Sequence, residues 1–407
     1  MKIIKPGSNM MRKILQRGLS PRKRLQEKVG KIIEEVRIAG DEAVLKYTRR
    51  FDNIKLTAKQ LKVSETEISG AFQNIEPHFI AALKVILDNV TAFYSKQIKK
   101  SWKIKGEEGI TLGEKVTPLD RVGIYVPAGT APLISTVYMT VIPAKIAGVR
   151  EIILTTPPNK YASCDPHILA VANLLKVDQI YKIGGAQAIA ALAFGTKSVP
   201  RVDKIVGPGN IYVSEAKRQV FGYVDVDMLA GPSEVVVLAN DLSHIEFIAA
   251  DLEAQAEHAG GLALLVTTSK KLAQTMQKKL PHGFIVITKN LTEAADLINH
   301  IAPEHLEIMI KDPRKVLKKI NNAGAVFLGP YSPVALGDYA AGPSHVLPTA
   351  GTARFSSGLS IDDFVKKSHI ISYSKKALEK IRQPIEKVAE LEKMGKHIQS
   401  VKVRFDN

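Results

Sequence analysis

Cysteine is almost missing: Cys164 is the only one in 407 residues. That excludes an intramolecular disulfide framework and any zinc site built from cysteines, and it fits a reducing compartment. Long apolar runs are missing too. The longest, Ala188–Phe194, falls far short of the roughly 20 residues that cross a bilayer. The basic stretch from Met1 to Arg24 has no apolar segment long enough for a secretion signal. These gaps predict a cytoplasmic protein with no membrane partner. The dinucleotide fingerprint is absent as well: no Gly-x-Gly-x-x-Gly opens a helix after a strand, and there is no Walker lysine motif.

Charge is plentiful but one-sided. Lysine and arginine number 57 against 40 acids, a net +17. A basic chain can bind nucleic acid, yet here the charge is spread. Arg12–Arg24, Lys96–Lys105 and Arg314–Lys319 are each interleaved with apolar residues. No finger, aromatic RNA-binding motif or arginine-rich tail accompanies them. The reading is a solvated basic surface and no nucleic-acid partner, with a positive field that would steer anionic ligands.

The chain is 45% hydrophobic and 24% charged, as in ordinary globular proteins, and too long for one typical core. The first hundred residues read as helical, over Glu27–Phe51 and Ala81–Trp102, from apolar residues near helical period. From Arg121 short apolar strands alternate with helices of about ten residues, which predicts βαβ units and a parallel sheet. The strands are Val122–Val126, Glu151–Thr155, Gln179–Ile183 and Val202–Val206. A second series follows, with strands Glu234–Ala239, Leu262–Thr268, Phe284–Thr288, His305–Ile310 and Ala325–Leu328. A helical tail is predicted after Ile361.

The fold class expected is therefore α/β. Two tandem Rossmann-like parallel-sheet domains carry small helical extensions at both ends. The expected boundaries are an N-terminal extension at 1–22, a first domain at 23–120 and 234–360, a second at 121–233, and a tail at 361–407.

Three segments carry chemistry. A helix is predicted over 241–261, opened by a Ser243/Glu246 capping box and ended by Gly260-Gly261. Its apolar stripe is Ile245, Ile248, Leu252 and Ala259. Gln255 and His258, three residues apart on the edge of that stripe, share a face. They fit either a hydrogen-bonded pair at a layer boundary or part of a metal site. The turn-rich segment Gly337-Asp-Tyr-Ala-Ala-Gly-Pro-Ser-His345 adds Asp338 and His345 on a loop, where function concentrates. Gln255, His258 and Asp338, with His397 as a further candidate, would make an N/O site suited to zinc or manganese. Gly207-Pro-Gly-Asn210 lies between a strand and a helix and fits a phosphate-binding loop or a plain tight turn.

Many motifs stand together in one order. They are Gly184-Gly-Ala-Gln-Ala-Ile-Ala190, Val206-Gly-Pro-Gly-Asn210, Leu229-Ala-Gly-Pro-Ser-Glu-Val235, Gln255-Ala-Glu-His-Ala259, Ala302-Pro-Glu-His-Leu-Glu307, Asn322-Ala-Gly-Ala-Val-Phe-Leu-Gly329, Gly337-Asp-Tyr-Ala340 and Ser344-His-Val-Leu-Pro-Thr349. From about Ile32 to the C-terminus the sequence resembles the histidinol dehydrogenase family. The resemblance implies an NAD-linked, zinc-dependent oxidation of L-histidinol to L-histidine in two steps, by a homodimer with shared sites. It implies zinc held by Gln255, His258 and Asp338 of one subunit and His397 of the other. Glu304 and His305 would do the proton chemistry: His305 would take the alcohol proton, and Glu304 would activate the water that adds to the aldehyde. Neighbours in a strand face opposite sides, so both can serve one site only if Pro303 breaks the strand; without the resemblance the pair reads as a strand entrance. Ser233, His345 and Glu392 become substrate contacts alongside the metal ligands and His305, and Tyr125, Gln187 and Asn210 become NAD contacts. Glu392-Lys-Met-Gly-Lys-His397 departs from the family's commoner tail at Lys393 and Met394, while its Glu and His keep their spacing. His78, His167, His244, His282, His300 and His369 are read as surface or core fillers.

Overall fold

The computed structural model describes residues 1–18, 23–73, 75–129, 131–240, 244–257 and 260–406. Fourteen strands are found among them: β1 Lys2–Ile3, β2 Trp102–Lys105, β3 Thr111–Pro118, β4 Arg121–Tyr125, β5 Glu151–Thr156, β6 Gln179–Lys182, β7 Lys204–Val206, β8 Asp225–Val226, β9 Glu234–Ala239, β10 Leu262–Thr267, β11 Phe284–Ile287, β12 His305–Met309, β13 Ala325–Leu328 and β14 Val365–Ser372. Contacts divide the chain into two units. One is Met1–Gln97 with Leu119–Phe364; the other is Ile98–Pro118 with Val365–Asn407. These cuts differ from the expected domain boundaries, because both parallel sheets fall in the first unit.

Within that unit one sheet runs in the order β6-β5-β4-β7-β8 and the other in the order β1-β11-β10-β9-β12-β13. All pairings in both are parallel. Counted from β4 in one and from β9 in the other, each sheet follows 3-2-1-4-5, five of the six strands of the doubly wound order; β1 adds an edge to the second. Parallel strands are covered on both faces, and Glu234–Ala239 is buried at every position. Alternate residues feed two cores. Val236, Leu238, Leu306 and Ile308 enter one; Val235, Val237, Ala239 and Met309 enter the other.

The helical reading of 27–51 resolves into two helices, Lys23–Ala39 and Asp41–Phe51. Gly40 separates them at φ +54°, a conformation that favours glycine. Both helices pack against the helix Gly185–Phe194, so 23–51 sits with the 121–233 layer and not with 234–360. The N-terminal extension is not purely helical: Lys2–Ile3 joins the sheet beside Phe284–Ile285. The long predicted helix at 81–102 is Pro77–Ser95, and Trp102 opens a strand instead. Its Trp-Lys-Ile-Lys alternation is a strand pattern.

The second unit corrects the all-helical tail. Val365–Ser372 is a strand, antiparallel to β3, which pairs in turn with β2. The helices Lys375–Leu391 and Gly395–Lys402 follow it.

The helix predicted over 241–261 is shorter, Ile245–Ala254, with a single 3-10 turn at Gln255–Glu257. His244 occupies its N-cap position; Ser243, His258 and Ala259 lie outside the described residues. Ile248, Ala249 and Leu252 are its buried stripe, while Ile245 is exposed. Gln255 opens the 3-10 turn that follows, a geometry in which side chains three apart still share a face; its predicted partner His258 lies outside the described residues.

Candidate active site

The catalytic candidates meet where two neighbouring strands of the second sheet begin. The helix Leu291–Ile301 is stopped by Ala302 in the left-handed conformation, φ +46°. Pro303 follows and has no N–H for a ladder. The strand therefore starts at His305, and Glu304 stays in the entering turn, so the two neighbours are not forced to opposite faces. The turn is pinned by the Gly324 N–H on the Pro303 carbonyl, 2.9 Å, and the Ala325 N–H on that of Glu304, 2.8 Å.

Glu234 organises the pair from the adjacent strand. Its N–H donates to Glu304 Oε2 at 2.8 Å, and its carbonyl accepts from His305 Nδ1 at 2.9 Å. The Ser233 hydroxyl donates to the same Glu304 oxygen at 2.8 Å. Glu234 is held in turn by a two-pronged Arg17 guanidinium and by the Ala350 N–H at 2.9 Å. An Arg–carboxylate fork fixes orientation as well as charge. Neither Arg17 nor Glu234 was singled out from the sequence; the signal available was a glutamate opening the otherwise apolar run Glu234-Val-Val-Val-Leu-Ala239.

With Nδ1 committed, Nε2 is the nitrogen of His305 left to meet a ligand. It lies 3.3 Å from Asp338 Oδ1, in a geometry that makes no hydrogen bond among the described residues. Burial alone would lower the basicity of this imidazole; the carboxylates of Asp338 and Glu304 outweigh it and raise the pKa to about 10. His345 behaves oppositely. Burial holds it below its ordinary value, and its Nδ1–H donates to the Asp338 carbonyl, 2.9 Å. That leaves Nε2 as acceptor for the Thr136 hydroxyl at 3.3 Å. His305, Asp338 and His345 line a cavity of about 540 Å³, with Phe93, Phe327 and Leu336. The volume suits a small polar ligand.

The chain belongs to the histidinol dehydrogenase family. The histidinol dehydrogenase family model matches residues 15–405. A histidinol dehydrogenase of Clostridium acetobutylicum is 48% identical, over 92% of this chain and 91% of the relative. One of Bacillus cereus is 47% identical, over 100% and 96%. The crystal structure of histidinol dehydrogenase from Elizabethkingia anophelis matches with a TM-score of 0.92 at 37% identity, over 99% of this chain and 98% of that one. As a member of this family the chain is an oxidoreductase of alcohols and aldehydes in histidine biosynthesis.

The family's zinc can be tested against the donors present. Gln255 is only 5% exposed, and its amide nitrogen has no hydrogen-bond partner among the described residues. Such an orphan donor costs about 1–3 kcal/mol and would be completed by an acceptor; a metal would instead meet the amide oxygen of the same side chain. A carboxamide, a carboxylate and imidazoles form a donor set that fits zinc. Among the described residues no three His, Cys, Asp or Glu side chains gather to hold a metal. The expected set draws on His258, outside those residues, and on His397 in the second unit. There His397 is exposed on the last helix, and Glu392, also exposed, is the C-cap of the helix before it.

The NAD candidates lie at the carboxyl ends of the first sheet, at the β4/β7 switch point where doubly wound folds bind ligands. Tyr125 ends β4; its hydroxyl accepts the Gly185 N–H at 3.1 Å, and burial pushes the phenol up to about 12. Gln187 is buried with neither amide atom hydrogen-bonded, and the Thr155 and Thr156 hydroxyls at the end of β5 are likewise unpaired among the described residues. Asn210 instead uses its side chain to cap the next helix, accepting from Tyr212 and Val213 at 2.9 and 3.1 Å. The Gly207 N–H is taken by Asp227 Oδ2 at 2.7 Å and Pro208 has none, so the Gly207–Asn210 loop is a capped helix entrance.

Proposed function

We propose that this chain oxidises L-histidinol through L-histidinal to L-histidine, using NAD and one zinc per subunit. The observation that carries the reading is the Glu304–His305 pair beside Asp338 at a cavity sized for the substrate. His305 Nε2 takes the hydroxyl proton as the first hydride leaves. Glu304, fixed by Ser233 and Glu234, takes a proton from the water that adds to the aldehyde before the second hydride leaves. Gln255, His258 and Asp338 hold zinc with His397 of a second copy. Bound there, zinc would engage the Asp338 carboxylate and orient the substrate's nitrogen atoms, lowering the hold of that carboxylate on the His305 proton. Ser233, His345 and Glu392 complete the substrate contacts; a carboxylate at Glu392 suits the ammonium group.

Tyr125, Gln187 and Asn210 would hold NAD, which would supply hydride acceptance there, and the Gln187, Thr155 and Thr156 groups unpaired among the described residues support a ligand at that place. The layer 121–233 carries the cofactor, the layer 234–360 the proton chemistry, and the tail 361–407 reaches the partner of a cytoplasmic homodimer. Exposed Ile371, Val388, Leu391 and Met394 on that tail support a covering partner. No helix among the described residues is long and apolar enough to cross a membrane.

The test is NADH absorbance on mixing zinc-loaded protein with NAD and L-histidinol. Two NADH per histidinol, abolished by a chelator and restored by zinc, is the expected outcome. No NADH from folded, metal-bound protein would overturn the reading, and a panel of small amino alcohols would then identify the substrate.

A further inference from the structure

A second buried acid stands behind the site and has no part in the chemistry above. Glu307 is 1% exposed. It lies two residues beyond His305 on β12, on the same face of the strand. Its Oε1 accepts the Val334 N–H at 2.9 Å. Val334 is the first residue of the helix Val334–Tyr339, which carries Asp338. The other oxygen, Oε2, has no hydrogen-bond partner among the described residues when the group is an anion. The Asp251 carboxyl group stands near enough for its charge to act on Glu307. Asp251 belongs to the helix Ile245–Ala254, and the Gln255 N–H closes that helix on the Asp251 carbonyl.

Two carboxyl groups can hydrogen-bond only with a proton between them, since each is acceptor-only when ionised. A proton on Glu307 Oε2 satisfies the orphan oxygen and makes it a donor toward Asp251. Burial, with the Asp251 charge adding to it, pushes the Glu307 carboxyl up to about 8, in keeping with a neutral acid. So one neutral side chain is acceptor to the helix of Asp338, donor to the helix that leads into Gln255, and is rooted in the strand of His305.

We propose that Glu307 is a positioning residue: as a neutral acid bonded to Val334 N–H and Asp251, it sets the spacing of the three elements that carry His305, Asp338 and Gln255. The proposal rests on the reading of those residues as site groups. A buried apolar residue would fill the space and hold none of the three in register.

The test compares Glu307→Gln, Glu307→Leu and Val334→Pro. Glutamine reproduces the neutral acid: its oxygen accepts from Val334 and its amide donates to Asp251. Leucine fills the volume without either bond. Proline at 334 removes the N–H and replaces a valine that packs against the core, a change that the unfolding midpoint reads separately; it is tolerated at the first position of a helix, and Pro333 already has the extended φ −69°, ψ 157° that a following proline demands. The readouts are kcat and KM for L-histidinol, zinc retained after dialysis against a chelator, and the unfolding midpoint. Expected are parent-like zinc retention and kcat in Glu307→Gln. Glu307→Leu and Val334→Pro should lose about 10- to 100-fold in kcat, the scale of a misplacement near 1 Å, and lose zinc faster, with KM less affected. A Gln variant as impaired as Leu would overturn the neutral-acid role; Leu and Pro variants that keep parent kcat and zinc would overturn the positioning role. Should Glu307→Leu fail to fold, the Gln and Pro variants decide alone. If the parent does not oxidise histidinol, the functional reading fails, and zinc retention still decides the role of Glu307.

Discussion

At the scale of single residues, the site separates tasks by what each side chain is already bonded to. Glu304 accepts two hydrogen bonds on one oxygen, Oε2, which leaves Oε1 to meet water. Glu304→Gln should therefore spare the first oxidation more than the second. Single-turnover assays started from histidinol and from histidinal should show the aldehyde step falling about 10²–10⁴-fold and alcohol oxidation falling less; equal losses would remove Glu304 from the water step. A second residue prediction concerns Asp52, the C-cap of the helix Asp41–Phe51. Burial raises its carboxyl to about 6, so the fold favours the neutral acid. That contribution is present below the ordinary carboxylate range and is lost as pH rises through about 6. Asp52→Asn should raise stability at pH 7 by about 1–2 kcal/mol, a two-unit shift discounted for partial exposure. The gain should fade toward pH 4 in denaturant titrations; a gain independent of pH would refute the assignment. Asp338 and Gln255 were legible as polar residues in turn-rich or apolar surroundings, while Glu304 and His305 drew their roles from the family resemblance, the pair by itself reading as a strand entrance. Arg17, Glu234, Thr136 and Glu307 were not, since their meaning lies in contacts between residues apart in sequence, Arg17 reaching Glu234 across 217 residues.

At the scale of elements, the strand–helix alternation from Arg121 to Leu328 was readable because parallel strands are continuous apolar runs. The antiparallel sheet of the second unit was not. Val365-Lys-Lys-Ser-His-Ile-Ile-Ser372 is largely exposed, so burial imposes no clean alternation on it. The same limit explains the helix at 245–254: its apolar stripe was visible, but its early 3-10 ending at Gln255 obeys tertiary contacts and not period. Close approach of elements gives a further prediction. A Cβ at Gly324 would stand 2.6 Å from the Glu304 carbonyl oxygen, where backbone cannot move aside cheaply. Gly324→Ala should push the β12 entrance off its register. The expected result is a loss of about 10²-fold in kcat with a stability loss of about 1–3 kcal/mol, read by assay and denaturant melt together. Unchanged kcat would mean that the Glu304 turn tolerates displacement.

At the scale of the whole molecule, sharing of sites between two copies makes a sharp prediction. His258→Asn and His397→Asn proteins, each inactive, should regain activity when mixed and allowed to exchange subunits. One of the two sites in each hybrid dimer has both histidines intact, and random re-pairing of equal amounts makes about half of the dimers hybrid, so recovery of about a quarter of the parent activity is expected from symmetry. No recovery despite exchange shown by differently tagged subunits would sink the shared site. The topology also sets a timetable. Strand β1 pairs with β11, Lys2 opposite Phe284. During synthesis at about 5–20 residues per second, the first strand leaves the ribosome roughly 15–55 s before its only partner in the sheet exists. The whole 121–226 sheet can close in that interval, while the strand that emerged before it waits for β11 to be made.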